Sequence, residues 1–318
     1  MTSVAYAPAS IGNVSVGFDL LGAALRPVDG SLLGDRVFVS ATRGPLTLDC
    51  SGPCAGILPA DPSQNLVYRA AEYFLHRLRK PLEGLHLHLE KNLPICSGLG
   101  SSASSIVAAF TALNHFFKSP FESSELLQMM AELEGQISGS VHYDNVAPAF
   151  LGGMQLIQSE AQGLSCALPI FENWRWVVCY PGYKIATEQA RGLLPNQYPR
   201  HVCIDFGRKL ATFVQSCYTQ NASLAASVLN DELAEPYRSP LIPGFANACS
   251  ALSEQGALAV GISGSGPTLF ALADCSEVAE TVNLWFENHF IESEQGFSHI
   301  CQLDSSGADA REELDVTV

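Results

Sequence analysis

Apolar residues along this chain switch repeatedly between period-two and helical spacing. Residues 84–90 (Gly-Leu-His-Leu-His-Leu-Glu) alternate and predict a half-buried strand. The alternation puts His86 and His88 on one face, where two solvent-facing histidines are a better reading than a metal pair. Leu66, Val67, Ala70, Ala71, Phe74, Leu75 and Leu78 recur at helical spacing behind the start signal Pro62-Ser63. Ala103, Ile106, Val107, Phe110, Leu113 and Phe117 predict the next helix, and Ser123 or Ser124 can cap a third that runs towards Gly139. Residues 154–157 and 174–179 read as strands, and 187–194, 205–219, 222–232 and 244–255 as helices. The end of the chain reads strand 257–262, glycine-rich turn, strand 268–273, helix 278–289, strand 298–303. This is an α+β pattern with mixed sheets, and it has too many adjacent strands for a plain doubly wound sheet. Its ending suits a split βαβ, ferredoxin-like unit. The interruption at Glu160–Gly163 places a domain boundary there, giving 1–160 and 161–318.

Composition narrows the function classes. Of 318 residues, 47% are hydrophobic and 15% charged, enough apolar surface for a large core. With 17 Lys plus Arg against 32 Asp plus Glu the net charge is −15, which argues against nucleic acid as a partner. The apolar segment from Ile106 to Phe117 is broken by Thr111, Asn114 and His115 and is too short for a membrane span. No signal-peptide pattern opens the sequence, so the expected location is cytoplasmic, and the sequons at Asn13 and Asn221 carry no weight. Ten scattered cysteines without a CxxC pair read as reduced, mostly buried thiols.

The strongest chemical signal is Pro94-Ile-Cys-Ser-Gly-Leu-Gly-Ser-Ser-Ala103, between a predicted strand and a predicted helix. Its glycines permit a sharp turn and close approach to a ligand. The helix that follows offers unpaired N–H groups and a positive dipole end, an anion site. Its serines can donate to phosphate, and one can ligate a phosphate-bound Mg²⁺. No Gly-Lys-Ser/Thr ends the loop, so it is not a Walker A motif.

That string resembles the second motif of the GHMP kinases, which phosphorylate small-molecule hydroxyl or phosphate groups with ATP. Ala7-Pro-Ala-Ser-Ile-Gly-Asn-Val-Ser-Val-Gly-Phe-Asp19 resembles the first motif and Gly261-Ile-Ser-Gly-Ser-Gly-Pro-Thr268 the third, in the family's order. Four finer strings resemble the family's homoserine-phosphorylating members: Gly17-Phe-Asp19, the run from Glu134 through His142-Tyr-Asp-Asn-Val-Ala-Pro148, Tyr180-Pro-Gly182 with Thr187 and Arg191, and Glu235-Pro-Tyr-Arg238. The resemblance implies a two-domain GHMP-kinase-like fold with the nucleotide in the N-terminal half. It also implies ATP-dependent conversion of L-homoserine to O-phospho-L-homoserine on the route to threonine.

By the same resemblance, Ser102 and Glu134 hold Mg²⁺. The nucleotide contacts Pro94, Ile95, Cys96, Ser97, Gly98, Leu99, Gly100, Ser101, Ser102, Ala103 and Ser104, and Asn65 either touches the adenine or serves its helix by packing or capping. Gly264, with Ser265 and Gly266, folds a second loop against the site. Arg191 and Arg238 take the substrate carboxylate, whose two oxygens match a planar guanidinium fork. Asp19 takes the ammonium, and Asn13, His142, Asp144, Asn145 and Thr187 line the reacting end. Galactokinase and mevalonate kinase place an aspartate base where this chain has Asn145, and an amide cannot serve as one. Two readings stand: Asp144 is the base, or Asn145 orients the hydroxyl and transfer runs on positioning and charge neutralisation, which a loose transition state permits. A homodimer and feedback inhibition by L-threonine also go with the resemblance. The competing assignments are a GHMP kinase for a mevalonate-type or sugar substrate, and a non-catalytic metabolite sensor.

Overall fold

The computed structural model describes residues 2–138 and 141–313. In chain order the strands are β1 (Thr2–Pro8), β2 (Ser10–Gly12), β3 (Leu21–Pro27), β4 (Gly34–Pro45), β5 (Thr47–Ser51), β6 (Glu83–Glu90), β7 (Met154–Ile157), β8 (Ser165–Leu168), β9 (Arg175–Tyr180), β10 (Ala259–Ile262), β11 (Leu269–Ala273), β12 (Phe297–Leu303) and β13 (Asp309–Glu313). The helices are α1 (Leu66–Arg77), α2 (Ser101–Phe116), α3 (Ser123–Ser138), α4 (Val146–Leu151), α5 (Thr187–Gly192), α6 (Arg200–Thr219), α7 (Ala222–Ser227), α8 (Glu235–Arg238), α9 (Phe245–Glu254) and α10 (Ser276–His289).

The first sheet has the order β13-β1-β4-β6-β5 and is mixed, because β5 runs parallel to β6. The alternating face of β6 buries Leu85, Leu87 and Leu89 against α1 and α2. Its other face turns His86 and His88 outward, where both imidazoles meet the Asp49 carboxylate of β5 at 2.9 Å. α2 is buried over nearly its whole length, from Ser101 to Asn114. A helix apolar all round belongs inside a fold, and α2 lies between the first sheet and α1, α3 and α4.

The second sheet is antiparallel and runs β10-β11-β9-β12-β3-β7-β8, with β2 paired to β3. Within it β9, β10–β11, α10 and β12 form the split βαβ unit, with β9 between β12 and β11. Each sheet takes strands from both ends of the chain: β13 closes against β1, and β3 sits between β12 and β7. The two halves are therefore sewn together, and the crossings bring residues 10–22, 94–102, 142–145 and 263–268 to one place.

Several segments differ from the sequence expectation. α6 starts at Arg200 rather than 205, and α7 stops at Ser227 rather than 232. Gly139 and Ser140, which belong to the string beginning at Glu134, lie outside the described residues.

Candidate active site

Three glycine-serine loops are stitched into one floor. At Gly98 the backbone takes φ +88°, and a Cβ there would lie 2.4 Å from the Ser263 carbonyl, so only glycine lets the two loops touch. Ser263 Oγ donates to the Gly98 carbonyl at 2.6 Å, and the Thr268 N–H to the Ser97 carbonyl at 3.1 Å. The Gly264 N–H donates to the Gly12 carbonyl at 3.2 Å. Asn13 Nδ2 and Arg238 Nη1 both donate to the Gly264 carbonyl, at 3.3 and 2.7 Å. Residues 13, 14 and 15 all have positive φ (73°, 47° and 52°), including the β-branched Val14, and surrounding contacts must hold such a run in place. Above the floor opens a cleft of about 650 Å³.

One end of the cleft is charged. Arg191 grips Asp19 through both nitrogens, Nη1–Oδ2 at 3.3 Å and Nη2–Oδ1 at 3.2 Å. Asp19 is presented by a left-handed residue (φ +57°) whose N–H donates to Asn13 Oδ1 at 3.0 Å. Arg238 is buried, and its guanidinium lies 5.4 Å from the centre of the Phe18 ring. His142 Nδ1 lies 3.6 Å from Asp19 Oδ1. Burial nonetheless lowers the imidazole pKa, against the pull of Asp19 and with a push from Arg191, so His142 is neutral at pH 7. Asp144 is buried, and its carboxyl is pushed up to about 7, first by desolvation and then by Asp19, with Arg191 opposing. Its backbone is pinned: a Cβ on Gly22 would fall 1.6 Å from the Asp144 carbonyl. Asn145 Oδ1 accepts from Ser10 Oγ at 2.9 Å, and Asn145 Nδ2 donates to Asp144 Oδ2 at 3.3 Å, which fixes the amide's orientation. Among the described residues Asp19, His142 and Asp144 are the three metal-ligating types whose ligand atoms converge within 4.8 Å.

The other end is more apolar, walled by Ile57, Leu58, Pro59, Leu66 and Leu89. Asn65 caps α1 by accepting the Val67 N–H at 2.9 Å, and the same side chain lines the cleft. Between the ends, at the start of α2, Ser102 Oγ donates to Glu134 Oε1 at 2.6 Å. Burial pushes the Glu134 carboxyl above its ordinary range, and the Ser102 hydroxyl pulls it back. Two hard oxygen donors at a helix N-terminus, one a desolvated carboxyl that a cation would relieve, suit a phosphate-bound Mg²⁺.

Residues 65–153 match the model for the GHMP kinases N terminal domain, and residues 213–288 the model for the GHMP kinases C terminal domain. A crystal structure of homoserine kinase from Cytophaga hutchinsonii is similar at 31% identity and a TM-score of 0.88, over 98% of this chain and 97% of that one. The chain belongs to the GHMP kinase family. Two more distant structures are alike in fold. A candidate homoserine kinase from Listeria monocytogenes shares 22% identity (TM-score 0.72, 98% and 100% covered). L. major mevalonate kinase in complex with R-mevalonate shares 16% (TM-score 0.68, 95% and 96% covered).

The cleft of this GHMP kinase is lined by Asn13, Asp19, Asn65, Ile95, Cys96, Ser97, Gly98, Gly100, Ser101, Ser102, Glu134, His142, Asp144, Asn145, Thr187, Arg191, Arg238 and Gly264, all expected near a ligand. Four of the residues expected at the nucleotide do not line the cleft with their side chains. Pro94, Leu99 and Ala103 are buried, the last two within apolar clusters, and Ser104 turns away to donate to the Ala7 carbonyl at 2.7 Å. For Ala103 and Ser104 helical periodicity is the reason: from Ser101 and Ser102 facing the cleft, the next residues of α2 rotate into the core. Asp19 and Arg191, expected to grip opposite ends of a substrate, instead grip each other. Sequence reasoning missed Lys91 and Ser105, which line the cleft, and Asp35 behind them. The available signal for Lys91 was its position immediately ahead of the glycine loop.

In this GHMP kinase no helix among the described residues is long and apolar enough to cross a membrane.

Proposed function

We propose that this GHMP kinase transfers the γ-phosphate of ATP to the side-chain hydroxyl of L-homoserine. The observation that carries the reading is the Asp19–Arg191 pair, with Arg238 beside it, at the end of the cleft opposite the apolar wall. A carboxylate and two guanidinium groups are the charge complement of an α-amino acid. The zwitterion's ammonium replaces Arg191 at Asp19, and its carboxylate replaces Asp19 at the arginines. Both partners of the existing pair are then satisfied, so opening it leaves no stranded charge. Mevalonate brings a carboxylate without an ammonium, so taking Asp19's place at the arginines would leave Asp19 uncompensated, and a neutral sugar brings no charge that could open the pair.

The α- and β-phosphates lie on the glycine loop, against the N–H groups of α2 and the hydroxyls of Ser101 and Ser102. Ser102 and Glu134 would hold Mg²⁺, which when bound neutralises charge on the phosphate oxygens. The homoserine hydroxyl is directed by Asn145, whose amide is locked by Ser10 and Asp144. Attack forms the new O–P bond while the bond to the ADP oxygen breaks, and the hydroxyl proton passes to an oxygen of the transferred phosphoryl group and from there to solvent. Asp144, with a pKa of about 7, is half protonated at neutral pH. We favour positioning over base catalysis, because Asn145 and the loop floor are held rigidly by the contacts above.

ADP release measured by a coupled assay with L-homoserine, mevalonate, galactose and L-threonine as acceptors tests the reading. L-homoserine should give the highest kcat/KM by at least tenfold. Preference for mevalonate or a sugar would move the chain to another branch of the family, and binding without turnover would make it a sensor.

A further inference from the structure

Beneath the glycine loop lies a buried ion pair that the proposed reaction has not used. Asp35, at the start of β4, is 0% exposed, and Lys91, just beyond β6, is 2% exposed. Lys91 Nζ donates to Asp35 Oδ2, to Ser101 Oγ at 2.7 Å, to Ser105 Oγ at 3.0 Å and to the Ser101 carbonyl at 3.2 Å. Asp35 Oδ2 also accepts from Ser105 Oγ at 2.6 Å, and Oδ1 accepts the N–H groups of Asn92 and Leu93 at 2.9 and 3.0 Å. One carboxylate thus holds the strand end that enters the loop and, through Lys91 and Ser105, the helix turn that leaves it.

Stability does not account for this arrangement. Buried ion pairs replaced by apolar groups of similar volume are often neutral or more stable. An ammonium at the N-terminal end of α2 also sits at the wrong pole of the helix dipole. The placement makes sense for an anion in the cleft: Lys91, Ser101 and Ser105 line it, while Asp35 lies behind with its charge screened by the ammonium. We infer that Asp35 is a positioning residue for phosphoryl transfer, acting through Lys91 and the Ser101–Ser105 turn to fix the loop that receives the nucleotide phosphates. The inference rests on the nucleotide reading of the cleft.

The test compares affinity for ADP with affinity for adenosine, which lacks the phosphates, in wild type, in Asp35→Asn and in the double variant Asp35→Asn/Lys91→Met. The single variant keeps one acceptor for the Asn92 and Leu93 N–H groups but turns an NH₂ towards the ammonium. The double variant removes both charges, keeps the volume and keeps that acceptor, and it relieves the ammonium that the single variant leaves facing an NH₂. Expected results are ADP affinity at least tenfold weaker, adenosine affinity within about twofold of wild type, and kcat at least tenfold lower with an unchanged KM for the acceptor. ADP binding by the folded double variant within threefold of wild type would overturn the inference. So would an equal loss of ADP and adenosine, which marks a merely structural pair. Wild-type protein that binds neither ligand would instead overturn the nucleotide reading beneath it.

Discussion

Replacing Asp144 by asparagine should flatten the pH dependence of stability. Asp144 is fully enclosed, and its carboxyl rises from an ordinary 3.8 to about 7 because burial, with the Asp19 charge, disfavours ionisation. Between those two pH values the folded protein therefore binds a proton that the unfolded chain has released. Stability then falls as pH rises, and the loss is complete above the folded pKa. A rise of roughly three pH units, at about 1.4 kcal/mol per unit, corresponds to on the order of 4 kcal/mol across the window. The part accessible between pH 5 and pH 7 is roughly 2–3 kcal/mol. Asparagine has the same shape, keeps a group that can bond Asn145, and carries no titrating proton. Urea unfolding at half-unit steps from pH 5 to 8 gives the comparison. Wild type should lose stability towards pH 8, while Asp144→Asn should lose roughly 2–3 kcal/mol less between pH 5 and pH 7 and become the more stable of the two at the alkaline end; the slope it keeps comes from Glu235, whose carboxyl burial pushes up to about 8. Parallel curves for the two proteins would show that Asp144 does not titrate in this window and would remove it as a neutral-pH proton carrier.

Turnover of Asp144→Asn should remain measurable if positioning dominates, whereas a loss of ~10³-fold with homoserine binding preserved would assign it as the base. Ser102→Ala and Glu134→Gln should each lower kcat by ~10²-fold or more without unfolding the protein. Titration of Mg²⁺ should show a raised requirement, and near-normal activity of Glu134→Gln at limiting Mg²⁺ would take Glu134 out of the metal site. Arg238→Ala removes a charge-assisted contact and should raise the homoserine KM about 10- to 100-fold. L-Threonine should inhibit competitively: it offers the same ammonium and carboxylate, but its hydroxyl is one carbon nearer the clamp and falls short of the γ-phosphate. Arg238→Ala should weaken it in parallel with homoserine, and inhibition that saturating homoserine cannot relieve would place threonine at another site.

What the chain's own pattern determined was local. β6, α1 and α10 each bury one face, so period-two or helical spacing of apolar residues betrays them, while α2, buried all round, shows as an apolar run behind the glycine loop. The glycine-serine strings were legible because backbone turns and anion cradles tolerate few residue types. The hidden elements lack that signature. β1 is buried on both faces except at Thr2 and Tyr6 and shows no alternation, while β13, Asp-Ala-Arg-Glu-Glu, is a charged edge strand with almost no apolar side. Charge pairing was equally invisible. Asp19 meets Arg191 from 172 positions away, and Asp35 meets Lys91 from 56. Asp35 and Lys91 looked like ordinary polar residues, and Asp19 and Arg191 were expected to meet a substrate rather than each other, because whether a charge is solvated or locked depends on which element lies beside it. Strand order is set by the crossing of β3 and β13 between the two sheets, which only the assembled fold decides.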